Sequence, residues 1–249
     1  ILVFAGWRAI FAVLALFGLA CLLAVWRHLP ETRPVDTVAG AGIGGALRIY
    51  GELLRDRRFI GYASSGGFAQ AGMFAYITGS PHVFIELHGV SAQNYGWLFG
   101  LNALGLIASS QYNRRLLARH GADAILRRAN RATVLLGLVL LAVAAGGWGG
   151  LPALLIPLFG YLVTLGFTAP NAMANALAHQ GARAGSASAL IGTLQFGVAT
   201  VSSALVGLLG AGSALPMAAV IAGCGLLAYG AHRTLVGSGT VAESFPSRP

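Results

Sequence analysis

The sequence predicts an all-α polytopic membrane protein with seven transmembrane helices. Of its 249 residues, 56% are apolar and 9% are Asp, Glu, Lys or Arg, whereas an ordinary soluble domain has about 25% charged residues. The mean hydropathy is +0.74. So few charged side chains cannot cover the surface of a soluble globule of this size. Composition therefore excludes a soluble enzyme, a disordered chain and a small secreted module held by disulfides.

Long intervals without a formal charge locate the predicted helices. A helix needs about 20 residues to cross the hydrocarbon core of a bilayer. Intervals of 18, 27 and 27 residues each fit one span, and intervals of 51 and 49 residues each fit a helical hairpin. Glycine-rich turns at residues 146–152 and 210–213 divide the two hairpins. The intervals are bounded, in chain order, by Arg8 and Arg27, by Arg58, Glu86 and Arg114, and by Arg131, Arg183 and Arg233.

Arginine marks one side of the predicted bundle. The chain has no Lys, and 15 of its 16 Arg residues fall in connectors on one side, with Arg8 as the exception. By the positive-inside rule that side is cytoplasmic, so the long connectors and the C-terminus face the cytoplasm and the loop with Glu86 faces outward. Because the arginines lie between apolar runs, we expect membrane lipid as a partner and no nucleic acid.

The same pattern divides the chain into four segments. Residues 1–28 hold the first helix, and residues 58–233 hold the other six. Residues 29–57 form a cytoplasmic linker, in which residues 46–58 have the apolar spacing of an amphipathic helix lying on the membrane face. Residues 234–249 form a cytoplasmic tail.

Polar and aromatic side chains inside the predicted spans are candidates for a substrate cavity. A polar group in hydrocarbon is costly unless it faces a partner or water. Each amide or phenol could hold two helices together or line a cavity, and both alternatives stay open for each residue. Mixed with methionine and aromatic residues, the set resembles the lining of a weakly selective binding site. The candidates are Gln70, Met73, Phe74, Tyr76, Asn102, Asn171, Gln195 and Phe196.

Other motifs predict packing and exclude known kinds of chemistry. Small residues spaced four apart, such as Gly96 with Gly100 and Ser203 with Gly207, predict close helix contacts. The six His residues all fall at predicted span ends or in loops without an H-x-x-x-H pair, which favours interfacial solvation over metal binding. We find no catalytic motif. We therefore expect no enzyme activity, no cofactor and no metal site.

Several stretches of the chain resemble the Bcr/CflA drug-efflux branch of the major facilitator superfamily. The resemblance covers nearly the whole chain, from Gly6 to about Arg233. It is carried by residues 6–11, 29–32, 72–81, 83–86, 99–103, 113–115, 171–174, 185–190 and 192–197.

The resemblance implies seven transmembrane helices of a twelve-helix major facilitator fold. Residues 1–28 would be the last helix of the N-terminal bundle, followed by the central linker and the complete C-terminal bundle. The chain begins without Met inside an apolar run, so we expect a missing N-terminal half as its partner. Asn113, Arg114 and Arg115 resemble the superfamily's cytoplasmic loop signature, in which an Asp commonly fills the first position.

The function implied by the resemblance is proton-coupled efflux of small amphipathic drugs by a transporter located in the bacterial inner membrane. Such transporters work by alternating access, in which two helix bundles rock about a central site. Proton coupling requires a titratable group in the membrane. Here Glu86 is the candidate for a proton or gate contact, and the alternative is a solvated loop acid.

Two other membrane functions compete with transport. Seven spans are also typical of membrane receptors and retinal proteins, but a chain without Lys cannot form the Schiff base that retinal requires. A membrane-embedded enzyme would need intramembrane acids, His pairs or a nucleophile constellation that this sequence lacks. A receptor or another non-transport membrane module remains the alternative.

Overall fold

The computed structural model describes residues 2–29, 43–210 and 212–237. The described residues form helices and no strand. Residues 30–42, in the first half of the predicted linker, and the tail from residue 238 lie outside them. The helices are α1 (Leu2–His28), α2 (Ile43–Arg55), α3 (Arg57–Pro81), α4 (Ala92–Leu117), α5 (Ala122–Gly146), α6 (Gly150–Leu177), α7 (Ala184–Leu208) and α8 (Leu215–Ala231). A π-helical turn extends α3 to Leu87 and another extends α8 to Val236.

The chain divides into two compact units, residues 1–41 and residues 42–249. In the first unit, α1 is long and apolar, and none of the window that could cross a membrane is buried. Gly6, near its start, has a left-handed φ of 70° that breaks the regular helix. The second unit contains α2 to α8.

Helix α2 is amphipathic, as the sequence predicts, but it packs on the bundle. It runs from Ile43 to Arg55, three residues earlier than expected, because Asp56 caps the next helix by accepting from the backbone nitrogens of Arg58 and Phe59. Its Leu53 is fully buried in a cluster with Phe59. Its apolar side contacts α3 and α7, and the expectation that the helix also lies at the membrane face stays a prediction.

Helix α3 is the centre of the second unit and packs against α6, α7 and α8. Its buried positions are mostly Gly, Ala and Ser. Gly72 lies directly beneath the Tyr161 hydroxyl of α6, and a Cβ on Gly79 would lie 2.8 Å from the Met217 side chain of α8. Small residues let helix backbones approach closely where lipid offers no hydrophobic driving force between helices.

The small-residue pairs that the sequence suggested do not make these contacts. A Cβ added to Gly96, Gly100 or Gly207 would meet nothing within 4 Å among the residues described. The close approaches occur instead at glycines such as Gly72 and Gly166, whose spacing gives no motif. Close packing at the four-residue pairs stays a prediction, because these pairs lie on helix faces that the unit leaves uncovered.

Five of the helices are long and apolar enough to cross a membrane: α1, α5, α6, α7 and α8 with its extension. The two predicted hairpins form as expected, with α5 ending at Gly146 and left-handed glycines at Gly147 and Gly149. Helices α3 and α4 have 25 and 26 residues, which is long enough, but they carry more polar and small residues. That α3 and α4 also cross the membrane, which would bring the number of spans to seven, stays a prediction.

The antiparallel order of the helices gathers the arginines between residues 43 and 237 at one end of the second unit. We call it the arginine-rich end: the starts of α3, α5 and α7 with the ends of α4, α6 and α8. Helix α2 is fixed there by an ion pair of 2.8 Å between Glu52 and Arg183. Gln180, after α6, donates to Asp56, before α3. Which side of the membrane this end faces stays a prediction.

Replacing Gly166 by Ala should destabilise the bundle, because a Cβ there would lie 2.7 Å from the Ser110 nitrogen and 2.8 Å from the Leu106 carbonyl oxygen. Backbone atoms cannot rotate away, so we expect a loss of about 1–3 kcal/mol. Gly100→Ala is the matched control, since its Cβ would enter open space. Thermal unfolding in detergent, followed by circular dichroism, checks the pair. An equal effect of both changes would contradict the packing of α4 on α6.

Candidate functional site

Three of the eight cavity candidates meet between α3 and α7, and helical spacing places a fourth, Gln70, on the same side of α3. The rings of Phe74 and Phe196 contact edge to face, with centroids 5.9 Å apart. Gln195 packs its stem on α3 at Gly67, three residues before Gln70. Because Gln70 and Phe74 are four residues apart, they lie on one side of α3. We call Gln70, Phe74, Gln195 and Phe196 the α3–α7 face.

The α3–α7 face is partly open. Phe196 is 64% exposed, and Gln70, Phe74 and Gln195 are half-buried. Met73 is also half-buried and packs against the main hydrophobic core. Amide and aromatic groups that are reachable at one helix interface could bind an amphipathic molecule by ring contacts and a few hydrogen bonds.

Tyr76 and Asn102 join α3 to α4. The Asn102 side-chain nitrogen donates to the Tyr76 hydroxyl over 3.0 Å, and both residues are buried. The Tyr76 ring stacks on Phe99 at 5.8 Å, and Phe84 and Tyr95 complete a group of four aromatic rings. Here the structure favours the first of the two alternatives for these residues, an interhelical contact.

Asn171 joins α6 to α4 through a residue of the predicted loop signature. Its side-chain nitrogen donates to Asn113 Oδ1 over 2.8 Å, and both side chains are buried. Arg114 and Arg115 of the same signature are exposed, and Arg114 donates to Gln111. Asn113 therefore holds two helices together, while the two arginines lie at the surface.

The two amide contacts lie at different depths of the bundle. Asn102 and Asn113 are 11 residues apart on one helix, which corresponds to about 16 Å along its axis. Tyr76 with Asn102, and Asn171 with Asn113, are therefore separate junctions. Each is worth about 0.6–2 kcal/mol in a membrane. That all eight candidates line one cavity stays a prediction, for which the structure brings together only the α3–α7 face.

Glu86 lies on the π-helical turn after α3. Its carboxylate pairs with His82 one turn earlier, and its side chain is 67% exposed. An exposed pair of this kind stabilises a protein by about 0–1 kcal/mol. This environment fits a solvated loop acid better than a group enclosed in the membrane.

A cluster of polar side chains around Asp123 was not identified by the sequence analysis. Asp123 accepts from the Tyr62 hydroxyl at 3.0 Å, lies 3.0 Å from His232 Nε2 and pairs with Arg127 at 3.3 Å. His232 is only 3% exposed, so the expectation that every His is solvated at the interface is wrong for this one. The cluster ties together α3, α5 and the extension of α8. The available signal was weak: an acid in the first turn of a helix, four residues before an arginine.

Comparison with known proteins gives the family. Residues 1–203 match the family model described as Major Facilitator Superfamily. The chain belongs to this superfamily. The prediction of an all-α polytopic membrane protein with a major facilitator fold is thereby confirmed, and the family, with relatives named as transporters, points to a transporter and not an enzyme.

Among its relatives, the chain is 36% identical over 224 residues to the uncharacterized MFS-type transporter YdgK of Bacillus subtilis, covering 89% of this chain and 54% of that protein. It is 30% identical over 229 residues to the bicyclomycin resistance protein homolog of Haemophilus influenzae, covering 91% and 57%. It is 32% identical over 105 residues to the multidrug transporter MdfA of Edwardsiella piscicida, covering 40% and 25%. The chain spans about half the length of the first two relatives.

Replacing Asp123 by Ala should destabilise this superfamily member by about 1–3 kcal/mol, because it leaves the buried His232 and the Tyr62 hydroxyl without their acceptor. Glu86→Ala removes an acid from an exposed pair and serves as the control, with an expected loss below about 1 kcal/mol. Chemical unfolding in detergent measures both. A loss for Glu86→Ala that equals the loss for Asp123→Ala would contradict the structural role of the cluster.

Proposed function

We propose that this chain forms the last helix of the first half and the complete second half of a Bcr/CflA-type transporter, which exports small amphipathic drugs from the bacterial cell in exchange for protons. The observation that carries the proposal is the match to the bicyclomycin resistance protein homolog along 91% of the chain. The shorter match to a protein named as a multidrug transporter points in the same direction. The inner membrane is the proposed location.

The α3–α7 face is the proposed drug-contacting surface of this half. Its two rings offer apolar area to a flat or amphipathic compound, and its two amides offer donors and acceptors. The side-chain amides of Gln70 and Gln195 form no hydrogen bond with another described residue. Side chains that can adapt to different ligands suit a weakly selective site better than a fixed polar network does.

The partner of this face would be the other six-helix half of the transporter. Helices α4 and α7 carry small residues in open positions, including Gly100 and Gly207, beside exposed apolar side chains such as Leu101 and Leu205. Such surfaces let a further helix approach closely. Rocking of the two halves about the α3–α7 face would expose it to each side of the membrane in turn.

Replacing Phe74 and Phe196 by Ala in the complete transporter should weaken drug export, because it removes the aromatic surface of the α3–α7 face. We expect about a tenfold rise in the drug concentration for half-maximal efflux, which corresponds to about 1.4 kcal/mol. Ethidium efflux from energised cells or everted vesicles measures it, and a protonophore should abolish efflux in the parent. The matched control is Val139→Ala with Ile156→Ala, at exposed positions of α5 and α6. Equal defects in both pairs would contradict the assignment.

The same assay decides the role of Glu86. Because its side chain is exposed and paired with His82, we expect Glu86→Gln to leave proton-driven efflux unchanged. A loss of coupling in that variant, with normal drug binding, would instead assign Glu86 as a proton or gate contact.

A further inference from the structure

A cavity of about 500 Å³ lies at the arginine-rich end, between the first turns of α5 and the last turns of α8. It is not part of the α3–α7 face. Its polar lining consists of Arg127, Arg128, Arg131, Tyr229, His232 and Arg233. Helices α5 and α8 are both candidate membrane spans, so the cavity lies at the level where a span leaves the hydrocarbon.

The positive charge of this cavity is poorly neutralised. Arg127 pairs with Asp123, but within residues 43–210 and 212–237 Arg128, Arg131 and Arg233 form no ion pair with a carboxylate. A neighbouring cavity of about 420 Å³ differs in this respect, because Asp56 and Asp123 both line it. A third cavity, which contains Arg114 and Arg115, also has no carboxylate in its lining, but it has only two arginines. With four arginines in its lining, the first cavity offers an anion the most positive charge of the three.

One of these arginines bonds to the tyrosine that lines the same cavity. Arg233 Nη1 donates to the Tyr229 hydroxyl over 3.0 Å, and Arg128, Arg131 and Arg233 are all exposed at the cavity. The remaining N–H donors of Arg233 stay available for a ligand. Planar guanidinium forks match the oxygens of a phosphate, which they can bind in a bidentate manner.

Apolar side chains continue from the arginines along the same helix faces. Leu135 follows Arg131 by one turn and Leu138 follows it by two, while Leu226 precedes Tyr229 by almost one turn. All three are exposed, Leu135 to 63%. A basic cavity with an exposed apolar stripe directly next to it has the two chemistries of a phospholipid in the order that a bilayer presents them.

We propose that this cavity binds the phosphate of an anionic phospholipid, with Arg128, Arg131 and Arg233 on the headgroup and the acyl chains along Leu135 and Leu226. Basic pockets between transmembrane helices on the cytoplasmic side recognise anionic headgroups in this way. Free phosphate shares the headgroup chemistry, but it would leave the apolar stripe without a role. The proposal needs only the bundle in a membrane and does not depend on the transported substrate.

Binding of dioleoylphosphatidylglycerol to the purified full chain in detergent, measured by titration or native mass spectrometry, tests the proposal. The triple variant R128Q/R131Q/R233Q should lose about tenfold or more in affinity, and the loss should shrink at high salt. The matched control R55Q/R57Q/R119Q removes the same charge from exposed positions at the same end, and it should change affinity less than about twofold. Parallel titrations use dioleoylphosphatidylcholine and inorganic phosphate as probes.

Tighter binding of phosphatidylglycerol than of either other probe, lost only in the cavity variant, supports the proposal. Equal losses in the cavity and control variants would show charge attraction without a site and would overturn it. Binding of inorganic phosphate as tight as that of the lipid would show that the acyl chains contribute nothing, and it would overturn the proposal that the ligand is a membrane lipid. If the triple variant loses its helical circular dichroism, R128Q alone, at an exposed position, takes its place, with an expected loss of about threefold.

Discussion

The second unit depends on the close approach of α3 to three neighbouring helices. In lipid, helices gain little from hydrophobic burial against each other, so packing and interhelical hydrogen bonds must hold them. Glycines on α3 let Tyr161 and Met217 reach its backbone. At that distance polar groups also meet, as when Asn130 donates to Ser65 and Ser202 donates to the Ala71 carbonyl. The α3–α7 face and the cavities at the helix ends are positioned by this packing.

Long-range features of the fold could be predicted because they depend on composition. Charge-free intervals locate helices, since an apolar run long enough to cross lipid must satisfy its backbone internally. The hairpin at Gly147 and Gly149 was equally predictable, because both glycines adopt left-handed φ values that end one helix and start the next.

The neighbours of each helix were not predictable from local spacing. A four-residue glycine pair predicts a close contact without saying which helix makes it, and Gly96 and Gly100 lie on an open face. Gly166 has no small residue four positions away in the sequence. It nevertheless lies closer to α4 than Gly96 or Gly100 lies to any described neighbour. Asn113 was expected at an exposed loop, but one helix turn before the end of α4 it meets Asn171 of α6. Which residues meet across two helices depends on how the helices pack, and local sequence spacing does not specify that packing.

The two ends of the unit differ in chemistry. The arginine-rich end joins helices through Asp123 and His232 and leaves several guanidinium groups without carboxylates. The opposite end contains the aromatic group around Tyr76 and Phe84. Positive charge concentrated at one end is the pattern that orients a bundle in a membrane, so the topology and the proposed lipid site have the same physical origin.

Cysteine accessibility tests the central claim most directly, namely that the helices cross the membrane in alternation with the arginine-rich end in the cytoplasm. In a chain with Cys21→Ala and Cys224→Ala, single cysteines replace Arg119, between α4 and α5, or Trp148, between α5 and α6. An impermeant maleimide added to intact cells should label the cysteine at Trp148 and spare the one at Arg119, with the reverse in everted vesicles. Labelling of both positions from the same side would contradict the account.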